Sequence, residues 1–70
     1  MFPRFMVADA YRPDHMKAHY VGTDGVTAWD VFRKQVVLHR MEHGLSDGPV
    51  VVLMQWPSAD ATRWERVMSA

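Results

Sequence analysis

The chain has 70 residues, eight basic and eight acidic side chains, and no cysteine. One small domain fills that length, and domains of this size bury only about 60% of the surface their unfolded chains expose. Disulfides, thiolate catalysis, cysteine-based zinc sites and iron–sulfur clusters are excluded, and the cancelling charge argues against a nucleic-acid partner, which needs a basic excess.

The opening MFPRF lacks the apolar core of a signal peptide. No apolar run approaches the ~20 residues of a membrane span. A cytoplasmic protein without a membrane partner is the expectation. Residues 4–11 (RFMVADAY) alternate, with Phe5, Val7 and Tyr11 on one side and Met6, Ala8 and Ala10 on the other. That pattern predicts a strand, ended by Arg12-Pro13. Asp9 interrupts the apolar side: near the strand end it is expected in water, whereas under a covering layer its carboxylate would need a partner, His39 or Tyr20. Pro13-Asp14 opens a predicted helix over residues 15–21, and residues 22–25 (GTDG) punctuate.

Residues 26–43 allow two readings. One is a single helix with Asp24 or Thr27 as N-cap and Gly44 just beyond its end. Trp29, Phe32 and Val36 give it an apolar spacing, but Arg33 and Arg40 fall in the same arc. The other is a helix over 26–33 and then a strand over 35–42, favoured by Val36-Val37-Leu38. Residues 44–49 (GLSDGP) have turn chemistry. Residues 50–56 (VVVLMQW) form the clearest strand. Both of its sides are apolar, so it is central in its sheet or sandwiched at an interface. Pro57 ends it. Ser58 caps a predicted helix over 59–68 with Ala61, Trp64, Val67 and Met68 as its stripe.

Six methionines, three tryptophans, three phenylalanines and two tyrosines are more than so short a chain hides easily, and exposed apolar surface marks interfaces. The leading expectation is therefore a non-enzymatic interaction module, a homodimer or a regulator or inhibitor of another protein. Its contact residues would be Val52, Met54, Trp56, Arg63 and Trp64, with aromatic anchors dominating.

A second constellation is chemical. Residues 39–43 read H-x-x-E-H, the zinc signature of the inverzincin peptidases. On a helix His39 and His43 share one ion; on a strand they lie ~13 Å apart at ~3.3 Å per residue. A catalytic zinc needs a third protein ligand, and little chain remains after His43 to supply one. A peptidase is not expected. His15 and His19 form another i, i+4 pair, so all four histidines are candidate metal ligands, although exposed histidines near element ends explain them equally. Asp9, Tyr20 and His39 are the candidates for a small-molecule site. No serine triad or phosphate loop is present, and no cofactor is expected.

Residues 50–64 (VVVLMQWPSADATRW) resemble the third strand and second helix of dimeric α/β-barrel proteins, of the kind allied to the antibiotic-biosynthesis monooxygenases and NIPSNAP proteins. Residues 5–20 (FMVADAYRPDHMKAHY) are similar in kind. The resemblance implies an α+β, ferredoxin-like order β-α-β-β-α: a sheet of about three strands with two helices, paired face to face as a dimer around a small cleft. It fixes no reaction, since those families include oxygenases and haem-degrading enzymes, and no catalytic motif carries over. Those proteins close with a fourth strand after the second helix. None is predicted here, which leaves a sheet edge for another chain to pair.

Overall fold

The computed structural model describes residues 1–44 and 48–70, His15 without its side chain. Its elements are β1 (Arg4–Asp9), a 3-10 turn (His15–Lys17), β2 (Tyr20–Gly22), α1 (Gly25–His43), β3 (Val51–Trp56) and β4 (Glu65–Ser69). The strands form one antiparallel sheet in the order β2-β1-β3-β4. The fold is α+β as expected, but the order is β-β-α-β-β with one helix, not the ferredoxin-like β-α-β-β-α with two.

β1 and β3 are the centre. They pair in register from Arg4↔Trp56 to Asp9↔Val51. Both are apolar on both faces, so both faces must be covered and both outer edges must be hydrogen-bonded. Each edge takes the nearest available segment. His19 N–H donates to the Val7 carbonyl (2.8 Å), and residues 20–22 continue along β1 as β2. The helix expected over 15–21 shrinks to one turn. Asp14 still acts as its cap, accepting from Met16 N–H (2.9 Å), but Ala18 is already extended. On the other edge, Glu65–Ser69 pairs with β3. The amides of Val50 and Val51 both donate to the Ala70 carbonyl, at 2.7 and 3.0 Å. The helix expected over 59–68 is therefore a turn and then a strand. Residues 59–64 carry helix formers, but the orphan edge of β3 offers a ladder of hydrogen bonds that a solvent-exposed helix cannot match. The fourth strand expected to be missing is β4. A register shift between Leu53 and Met54 leaves Val67 as the extra residue of a bulge, which bends this edge strand.

Residues 26–43 are one helix. The Asp24 carboxylate accepts from Val26 and Thr27 N–H (3.0 and 3.3 Å) and from Thr27 Oγ1 (2.7 Å). Gly44 ends the helix at φ 72°, its N–H bonded to the Arg40 carbonyl, a left-handed conformation that favours glycine. Between these stops, Ala28 and Phe32 are buried and Val31 and Val36 packed against them, on the sheet face of Val7, Val51 and Leu53. Valine lowers helix propensity by well under 1 kcal/mol per residue; the burial of that stripe outweighs it. The poor amphipathicity has a direct cause: Val26 is 80% and Met41 77% exposed, with Val37 and Leu38 also in solvent. No helix among the described residues is long and apolar enough to cross a membrane.

Phe32, stacked on Trp29, ties α1 to the sheet. Phe32→Ala is expected to cost about 3–5 kcal/mol, whereas Leu38→Ala on the outer face of the same helix stays within about 0.5 kcal/mol. Urea unfolding of both variants measures the difference.

Candidate functional site

Strand periodicity sorts the chemistry onto the two sheet faces. On the face away from α1 lie Arg4, Met6 and Ala8 of β1 opposite Trp56, Met54 and Val52 of β3, with Val21 of β2 beside Met6. Met6, Ala8 and Val52 are buried there by Ala10, Ala18, Val21, Met54 and Trp64, without any residue of the helix. Trp64 folds back from the 57–64 connection and meets Trp56 edge to face, ring centroids 5.5 Å apart and planes at 80°. Two grooves flank it. One, of about 320 Å³, is lined by Phe2, Arg4, Val21, Trp56 and Trp64. The other, of about 480 Å³, runs over Val52 and Met54 between Pro13 and residues Arg63, Trp64, Glu65 and Arg66. The residues expected to make contact, Val52, Met54, Trp56, Arg63 and Trp64, thus lie on one surface. Val52 is buried in its floor, Met54, Trp56 and Trp64 are half-buried, and Arg63 is exposed. Phe2 and Arg4 were not foreseen at this surface; the β1–β3 register sets Arg4 opposite Trp56, and both residues line the first groove.

The helix-side face holds the polar cluster. Asp9 closes β1 on that face, as its alternation with Phe5 and Val7 required. Its Oδ1 accepts from two imidazoles, His19 Nε2 at 3.0 Å and His39 Nε2 at 3.2 Å. An ionised carboxylate only accepts, so each ring presents its Nε2–H. His19 lies at the mouth of the β1–β2 hairpin, where Val7↔Tyr20 pairing sets it near the end of β1. His39 lies in the last turns of α1, one turn beyond the buried stripe. Burial opposes ionisation of Asp9, but the hydrogen bonds and charge of His19 and then His39 outweigh it and hold the carboxyl below its ordinary value. The donor atoms of Asp9, His19 and His39 lie within 4.8 Å of one another, close enough to share one metal ion.

The remaining candidates stand apart. The H-x-x-E-H segment is helical, so His39 and His43 are one turn apart, ring centroids 5.9 Å. His43 nevertheless pairs with Glu42 (3.7 Å) in solvent, and only His39 turns to Asp9. Tyr20, expected beside Asp9, instead spans both backbone groups of Asp24, receiving its N–H at 3.2 Å and donating to its carbonyl at 3.4 Å. Tyr20 therefore belongs to the start of α1. The side chain of His15 lies outside the described residues. His39 was legible as one of two partners that Asp9 would need under a covering layer; the Asp9 side chain is 33% exposed. His19 was a candidate metal ligand but not a foreseen partner of Asp9, because its segment reads as helix. Compared with protein families, curated proteins and solved structures, the chain finds no match.

Because the pKa of Asp9 is lower in the folded chain, its contribution to stability is present above the ordinary carboxylate range and is lost as pH falls through the folded value. The thermal midpoint of the wild-type chain is expected to exceed that of Asp9→Asn at pH 5, and the gap to narrow as the pH is lowered below the ordinary carboxylate range. Melts of the two proteins across that interval measure it.

Proposed function

We propose that this chain is a non-enzymatic interaction module that holds an apolar segment of a partner protein, flanked by carboxylates, in the two grooves beside Trp64. One observation carries the reading. The sheet face that α1 leaves uncovered has half-buried Met54, Trp56 and Trp64 in its floor and walls, and three arginines, Arg4, Arg63 and Arg66, around grooves of about 320 and 480 Å³. Aromatic anchors next to arginine are the usual energetic centre of a protein contact. The chain as a whole is neutral, so gathering three arginines against the single acid Glu65 makes this face locally basic.

That local charge selects the occupant. A second copy docked face to face would set two basic rims against each other, which costs energy once water is excluded. Acidic residues on either side of an apolar anchor satisfy the same arginines by charge-assisted hydrogen bonds. The partner is therefore a protein segment of apolar–acidic character. The bulge in β4 interrupts the ladder at that edge, which supports the grooves as the contact.

Selection from a displayed random-peptide library is expected to enrich sequences that set a Trp, Phe or Leu between Asp or Glu. Arg63→Glu and Arg66→Glu, both at exposed positions, should each weaken the selected peptides about tenfold, equivalent to about 1.4 kcal/mol, and Trp56→Ala more. The arginine effect should fade in high salt. Failure to enrich acidic–apolar peptides, or binding indifferent to all three substitutions, overturns the reading. So does a dimer in light scattering that Trp56→Ala dissociates, which would give the face to a second copy.

A further inference from the structure

We propose that Asp9, His19 and His39 form a binding site for one divalent first-row transition ion, of which zinc is the representative, on the face of the sheet opposite the proposed docking grooves.

Two imidazole nitrogens and one carboxylate oxygen suit Zn²⁺ and its neighbours, and the chain has no thiolate to divert a softer ion. Zinc bonds of about 2.0–2.1 Å at tetrahedral angles place neighbouring donor atoms about 3.3 Å apart. Two edges of the donor triangle already have nearly that length, 3.0 Å from Asp9 Oδ1 to His19 Nε2 and 3.2 Å to His39 Nε2. One ligand atom from each of the three residues lies within 4.8 Å of the other two. An ion enters between the three atoms with shifts smaller than a bond length.

The ligands are also held independently. Asp9 is fixed by the β1–β3 ladder opposite Val51. His19 comes directly after Ala18, and its backbone N–H is bonded to Val7. His39 rides on α1, which is capped at both ends. Three ligands from three segments are separated in sequence by ten and twenty positions and meet only in the fold. Exposure is graded, 16% for His39, 29% for His19 and 33% for Asp9. The helical ligand is packed in place while the other two line an opening through which an ion and water reach the site. Three protein ligands leave a tetrahedral ion one position for water or an exogenous donor.

Without metal both rings carry the proton on Nε2, directed at Asp9. Metal ligation through Nε2 moves each neutral ring to the Nδ1–H tautomer, with no net change in protons. Both states are therefore open to the same side chains with little movement.

The test is titration of the 70-residue chain with zinc chloride by calorimetry, with cobalt(II) as the spectroscopic probe. The expected result is one ion per chain and, with cobalt, the intense visible bands of a four-coordinate ion. His19→Ala and His39→Ala should each weaken binding about 100-fold, and Asp9→Asn should also weaken it. His43→Ala, which removes a histidine facing solvent beside Glu42, should leave it unchanged. Nitrogen-15 imidazole spectra of the wild-type chain give a readout that no substitution can disturb: His19 and His39 change tautomer on zinc addition and His43 does not. Absence of saturable binding by the wild-type chain overturns the proposal. So does binding that depends on His43 and survives His19→Ala, which would place the ion on the H-x-x-E-H turn.

Discussion

The antiparallel pair β1–β3 is the constraint on which everything else in this molecule depends. Met6, Val7, Ala8, Val51, Val52 and Leu53 are all buried, so this pair is apolar above and below. Such a ribbon cannot stand alone in water. Its two faces need cover and its two edges need hydrogen-bond partners, and a chain of 70 residues has little material with which to meet four demands. The edges are met by the shortest segments that reach them, three residues on one side and five on the other. One face is met by the only long helix among the described residues. The other is met by a connection that lays Trp64 across it. A buried, unpaired amide costs about as much as several favourable helix propensities together, so the edges take precedence over local preference.

The division of labour between the faces is a consequence of that shortage. The helix face is closed around Phe32, and Asp9 sets a carboxylate on that side at the end of β1. A carboxylate there must be answered by donors, and the two that answer it are imidazoles from the hairpin mouth and the last turns of α1. The same three side chains are the ones proposed to hold a metal ion. The opposite face is covered by side chains of a loop instead of a second helix, so it keeps grooves where a helix would have filled them. One sheet thus carries a polar centre on one side and an apolar, basic surface on the other, and the two readings are physically independent.

The likeness to the dimeric α/β-barrels extends to a strand ending in Trp56-Pro57-Ser58 and goes no further. The step Pro57-Ser58 does what proline after a strand must do, since it stops the ladder. The conformation of the chain beyond Ser58 is decided by β3, whose second edge lies free until Glu65–Ser69 arrives. A local motif of strand, proline and N-cap residue is compatible with a helix or a turn; the choice belongs to the partner strand.

The sequence by itself determined the α+β class and an extended Val51–Trp56 segment with two apolar sides; it offered Asp24 as one of two N-caps and Gly44 as the stop in one of two readings of the helix, and His39 as one of two partners that Asp9 would need under a covering layer. Each of these is written in short-range terms: doubled apolar faces, a side chain that reaches its own backbone, a glycine where φ turns positive, a charge in an apolar row. Only the tertiary structure decided that residues 15–22 and 59–69 give up helix for strand, that residues 35–42 remain helical, that Tyr20 serves the helix cap and that His19 joins Asp9. Those outcomes depend on unpaired strand edges and on strand register, and both arise from segments far apart in the chain. A window of ten or fifteen residues contains the propensity but not the edge that overrules it.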